Sequence, residues 1–195
     1  MILATGNRHK LRELRELLPG VDLAPLPEDV RLPPEDGDSY ASIALDKARA
    51  AHLATGEAAV ADDSGIEASG LDGRPGIHSA RYGGEGASDE ENLAKLLREV
   101  TAAGEDRRAA YVCALALIEE DDTEHVFEAR CEGRLVEEAR GEGGFGYDPA
   151  FVPDALEGDN RTMSELSQAE KNEISHRALA AKQLMGHLGG AAPGR

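Results

Sequence analysis

Asp62 and Asp63 stand side by side after the apolar run Ala58-Ala59-Val60-Ala61 and before Ser64-Gly65. A carboxylate can hold a divalent cation through its oxygens or take a proton from an attacking water, and two in succession offer both roles. The apolar run reads as the end of a buried strand. Successive side chains of a strand point to opposite faces. If Asp62 and Asp63 are to serve one ligand together, the chain must turn at Ser64-Gly65, and that turn is the expectation here. Taken alone, the stretch reads first as an inert polar turn, a common kind.

Three other stretches supply groups complementary to a nucleotide. Thr5-Gly6-Asn7-Arg8-His9-Lys10 is a strand-to-helix junction. Free N–H groups at a helix start, the helix dipole and a lysine in the first turn favour phosphate, and Gly6 admits close approach. The Gly-Lys-Ser/Thr ending of a Walker A loop is missing. In Gly143-Gly144-Phe145-Gly146-Tyr147-Asp148-Pro149, a Phe between glycines is a stacking platform for a base, and Asp148 can meet a base edge. Lys171-Asn172-Glu173-Ile174-Ser175-His176-Arg177 gathers three potential cations near a helix start, where they oppose the dipole unless an anion compensates. Each has an inert counterpart: a capped helix, a hairpin loop whose Phe folds onto the core, a solvated helix end.

The elements that must position these groups follow from periodicity. Ile2-Leu3-Ala4 reads as a strand, His9 to Leu18 as a helix ended by Pro19-Gly20, and Val21-Asp22-Leu23 as a second strand. A Pro-rich acidic connection leads to Ser39, which caps a helix to about Leu53, and Ser88 caps another. Ala109 to Ile118 is a long apolar run, and with His125 to Glu138 it predicts an antiparallel hairpin. One final helix is expected from Ile174 to about Leu188, and residues 189–195 read as a disordered tail.

The chain has 195 residues, enough to bury a core as one domain, here residues 1–188. Lys and Arg number 21 against 38 Asp and Glu, a formal charge of −17. That excludes broad binding to nucleic acid or an anionic membrane, which needs net positive charge. A surface so acidic and so poor in lysine fits adaptation to high salt. Cys113 and Cys131 lack metal-ligand spacing and read as buried free thiols of a reducing compartment. No run approaches membrane-spanning length, so a soluble, cytoplasmic protein is expected.

Together the stretches resemble the inosine triphosphate pyrophosphatase family. The matching pieces run in order: Thr5-Gly6-Asn7 with Lys10, Asp62-Asp63-Ser64-Gly65, Pro75-Gly76 with Ser79-Ala80-Arg81-Tyr82, Gly144 to Pro149, and Lys171-Asn172 with Ser175-His176-Arg177. The resemblance implies an elongated, two-lobed α/β fold around a long mixed sheet with flanking helices. It implies a nucleotide site in the cleft between lobes, usually in a homodimer. It also implies Mg²⁺-dependent hydrolysis of ITP, dITP and XTP to the monophosphate and pyrophosphate, clearing deaminated purines. Carried over, Thr5, Asn7 and Lys10 with the junction residues Gly6, Arg8 and His9 hold the triphosphate. Asp63 is general base and metal partner, Asp62 supports the metal, and Ser64 touches substrate. Phe145 with Gly146 and Tyr147 receives the purine, while Asp148, Lys171, His176 and Arg177 read its edge.

One departure stands out. Where the family has Glu-Asn in its second helix, this chain has Ser42-Ile43, and serine is a poor Mg²⁺ ligand. The expectation is weakened metal affinity, with help from Asp38 or Asp46 and restoration by Ser42→Glu. A nucleotide-binding protein without turnover, or a Maf-type pyrophosphatase, are the alternatives.

Overall fold

The strand carrying both aspartates is the spine of the chain. The structure, a computed structural model, describes residues 1–190. Strands β1 (Ile2–Leu3), β2 (Ala24–Pro25), β3 (Ala59–Ala68), β4 (Arg108–Ile118), β5 (Glu124–Leu135) and β6 (Phe151–Pro153) form one sheet ordered β2-β1-β3-β4-β5-β6. Strand β1 is parallel to β2 and β3, and β5 is antiparallel to β6, so the sheet is mixed. Between β4 and β5 lie only five residues, closed by Glu119 N–H donating to Thr123 O at 2.9 Å. So short a link forces antiparallel pairing.

Helices α1 (Arg8–Leu17), α2 (Tyr40–Thr55), α3 (Asp89–Ala103), α4 (Gln168–Ile174) and α5 (His176–Gly190) complete an α/β fold. Asn7, Ser39, Ser88 and Ser167 cap the first four through side-chain oxygens. Contacts divide the chain into two units. The first holds Met1–Asp63, Cys113–Ala129 and the chain from Arg177; the second holds Ser64–Val112 and Arg130–His176. Each has its own core. Leu3, Leu14, Leu18, Val60, Leu115, Leu117 and Leu184 pack in the first, and Ile66, Leu96, Tyr111, Leu135, Phe151 and Met163 in the second.

Four sequence expectations are corrected. The chain does not turn at Ser64-Gly65: β3 runs straight through, because Ile66 and Ala68 beyond the glycine still have a core to enter. The second strand lies at Ala24–Pro25 rather than at 21–23. The final helix starts at His176 rather than Ile174, since Ser175 is extended (φ −67°, ψ 151°), and a separate short helix, α4, not expected from the sequence, ends just before it. Gly189 and Gly190 belong to α5, and residues 191–195 of the expected tail lie outside the described residues.

Candidate active site

Because β3 stays extended, its two aspartates face opposite ways and do different work. Both are buried. Asp62 meets a cluster of cations. Lys10, from the first turn of α1, pairs with its Oδ1, and Arg177, the second residue of α5, donates from Nε to its Oδ2 at 3.1 Å. The Cys113 thiol lies 3.5 Å from Oδ2. Burial alone would raise the Asp62 carboxyl; Lys10, Arg177 and Lys47 overcome it and hold the group well below the usual carboxylate range. Arg177 is 2% exposed and also grips Glu13 of α1. Asp62 therefore has both oxygens on cations, although the sequence points to it as a metal partner.

Asp63 faces Lys47 of α2, whose Nζ lies 3.1 Å from Asp63 Oδ1 and 2.9 Å from Glu35 Oε1. Its other oxygen, Oδ2, is buried and has no hydrogen-bond partner. Burial pushes the Asp63 carboxyl up, and Lys47 and Lys10 pull it down only in part. Burial lowers Lys47, but Asp63, Asp62 and Glu35 more than offset that and raise it. A buried carboxylate oxygen without a donor, with a second carboxylate sharing its ammonium, suits a divalent cation.

Glu35 is the residue that sequence reasoning missed. It sits in the irregular acidic connection before α2, 12 residues from Lys47, and no spacing rule links the two. Neither residue expected to replace the family's glutamate takes that place: Asp46 pairs outward with Arg49 at 3.0 Å, and Asp38 receives the Ser42 hydroxyl at 3.3 Å. Ser42 closes the capping box of α2 with Ser39.

The N-terminal junction is a capped helix start. Asn7 Oδ1 accepts from the N–H groups of His9 (2.9 Å) and Lys10 (3.3 Å), and Thr5 Oγ1 accepts from Asn7 N–H at 3.1 Å. Gly6, Arg8 and His9 are exposed, leaving that helix end open to an anion.

The second unit collects the base-directed residues. Asp148 Oδ2 accepts from Lys171 Nζ (2.8 Å) and from Phe145 N–H (3.1 Å), and its Oδ1 accepts from Tyr111 O–H (3.0 Å). Asp148 thus folds the loop that presents Phe145. Gly144 at φ +72° is required there, since a Cβ would run into the Asp148 carboxylate. The Lys171 ammonium stands 5.1 Å from the centre of the half-buried Phe145 ring, and His176 stacks on Tyr111 at 4.6 Å. Gly146 N–H donates to Asp89 at 2.8 Å. Tyr147 is a core residue, 5% exposed, with its hydroxyl donating to Ser79 O at 2.7 Å. Ser64, next to Asp63 in β3, is half-buried.

The structure therefore gathers Lys10, Asp62, Asp63 and Arg177 in one unit and Phe145, Asp148, Lys171 and His176 in the other. Arg177 belongs with the aspartates, not with the residues expected to read a base.

A mixed α/β sheet carrying a buried carboxylate with a spare oxygen beside clustered ammonium and guanidinium groups is the equipment of a phosphate-handling hydrolase. The chain belongs to the Ham1 family, whose model matches residues 1–187. It is 42% identical over 194 residues to a dITP/XTP pyrophosphatase of Porphyromonas gingivalis, covering 96% of each chain. It is 45% identical over 195 residues to one of Vibrio vulnificus, again covering 96% of each. Among solved structures, a HAM1 protein from Coxiella burnetii matches with a TM-score of 0.87 at 39% identity, covering 97% of this chain and 98% of that one.

Proposed function

We infer that this chain hydrolyses deaminated purine nucleoside triphosphates (ITP, dITP and XTP) at the α–β phosphoanhydride bond, releasing the monophosphate and pyrophosphate. The observation that carries this is the unpartnered, buried Asp63 Oδ2 beside the Lys47–Glu35 pair. The names of the relatives support the substrate class.

Asp63 takes the proton of the attacking water, for which its raised carboxyl is suited. Asp63 and Glu35 hold the divalent ion, which we take to be Mg²⁺; when bound, it supplies charge neutralisation at the phosphate oxygens. Lys10, Lys47 and the open start of α1 hold the triphosphate, and Asp62 keeps Lys10 and Arg177 in place. Phe145 offers its ring to the purine. The Lys171 ammonium donates to a six-position oxygen, so the amino group of adenine there leaves a donor facing a donor, a mismatch that costs binding free energy. We further propose a homodimer acting in the cytoplasm. Among the described residues no helix is long and apolar enough to cross a membrane.

Pyrophosphate release measured with Mg²⁺ on ITP, dITP, XTP, ATP and GTP tests the reading. The first three should be turned over far faster than ATP, which lacks the six-position oxygen, and faster than GTP, which differs from them by its two-position amino group. Equal rates on all five would remove the substrate assignment, and no release from any would remove the activity.

A further inference from the structure

Away from these residues, three side chains from three elements converge on one point. Glu119 follows the end of β4, His125 is the second residue of β5, and His187 lies in the last turn of α5. Glu119 Oε1 is 3.0 Å from His125 Nε2 and 2.8 Å from His187 Nε2. One ligand atom from each lies within 4.8 Å of the others, the one such group of His, Cys, Asp and Glu among the described residues. The two imidazole rings are 4.1 Å apart, and Phe127, two residues along β5, backs His187 at 5.6 Å. All three belong to the first unit.

We propose that Glu119, His125 and His187 form a binding site for a single divalent transition-metal ion of the Zn²⁺ class. Two imidazoles and a carboxylate suit Zn²⁺, Co²⁺ or Ni²⁺ and are a poor set for Mg²⁺ or Ca²⁺, which demand oxygen. Metal–ligand bonds of about 2.0–2.1 Å put tetrahedral ligands roughly 3.3 Å apart. The two Glu119–histidine separations need only open by a few tenths of an ångström, with the two histidine nitrogens settling to the same spacing from within 4.8 Å. Three protein ligands leave a fourth position for water or another small ligand.

The site is reachable. The side chains of Glu119, His125 and His187 are 38%, 29% and 28% exposed. A groove lined by Met1, Leu117, Glu119, Glu120, Asp121 and Leu188 adjoins it, and its carboxylates raise the local concentration of cations. The ion would clip the end of α5 to the β4–β5 hairpin. That is a stabilising role, since a ligand bound only by the folded chain stabilises it.

The test uses the untagged chain, stripped with EDTA and returned to excess Mg²⁺ so that the aspartate site is occupied. Calorimetric titration with Zn²⁺ should give about one equivalent per chain and a higher melting temperature, and Co²⁺ should show the visible absorption of a tetrahedral site. His125→Gln and His187→Gln should each weaken binding by at least about tenfold while melting like the parent without metal; Glu119→Gln should behave likewise. Absence of Zn²⁺ binding by the parent chain under excess Mg²⁺ would overturn the proposal. So would binding by both histidine variants as tight as the parent's.

Discussion

Asp62 and Asp63 are chemically identical neighbours, and their surroundings set them in opposite directions. Asp62 is held below the carboxylate range, so its contribution to stability is present above the unfolded pKa of about 4 and is lost as pH falls through its lower folded value. Asp62→Asn, leaving Lys10 and Arg177 without their counter-charge, should cost about 3–5 kcal/mol at pH 7, and the deficit should shrink on acidification. Asp63 is raised, so the sign reverses: its ionisation costs stability once pH climbs through the folded value. In metal-free protein Asp63→Asn should therefore be the more stable chain at pH 7, with no difference from its parent below pH of about 4. The same variant should lose at least about a hundredfold in turnover. Chemical denaturation of both variants at pH 7 and below 4, beside pyrophosphate assays, reads all of this. An Asp63→Asn chain less stable than its parent at pH 7 would contradict the division of labour.

The division is a property of strand β3. The sequence shows the apolar approach to the aspartates, the capped helices and the long run of β4, because these follow from periods and caps that single residues declare. It does not show whether Ser64-Gly65 turns or runs on, since a glycine is compatible with either and only the core waiting for Ile66 and Ala68 decides. Glu35 was illegible for a related reason: its partner is fixed by where α2 lies, not by spacing. The short helix α4 is likewise not expected from the sequence, and the extended Ser175 after it places His176 and Arg177 at the first positions of α5. The loop of Phe145 depends on one backbone geometry, and Gly144→Ala is the sharpest probe of it. With φ at +72° and the Asp148 carboxylate in the way, the alanine should cost about 1–3 kcal/mol of stability and should lower kcat/KM for ITP more than for ATP, because the Phe145–Lys171 arrangement is displaced. Unchanged selectivity would separate that loop from base recognition.

On the scale of the whole chain, 38 acidic against 21 basic residues leave 17 carboxylates without a counter-charge. The favourable pairs are contacts: Arg49 with Glu124 at 2.7 Å, Arg161 with Glu170 at 2.7 Å, Arg130 with Glu67 at 2.8 Å. The excess carboxylates repel one another over longer distances. Raising salt from about 0.1 M to 1 M shortens the screening length from roughly 10 Å to 3 Å, which cancels repulsion across the surface while contact pairs keep much of their attraction. Exposed pairs contribute only about 0–1 kcal/mol each in any case, so little is lost. Melting temperature should therefore climb steadily with KCl across that range, whereas a chain of balanced charge would barely respond. KCl rather than a sulfate is the salt to use, since sulfate strengthens apolar burial in any protein and would raise the curve for another reason. The climb should also flatten when surface acids such as Glu85, Glu105 and Glu142 are changed together to Gln, because the repulsion that salt screens is then partly gone. A flat or falling curve in KCl would mean that the contact pairs outweigh the repulsion, and the acidic composition would then have no account in stability.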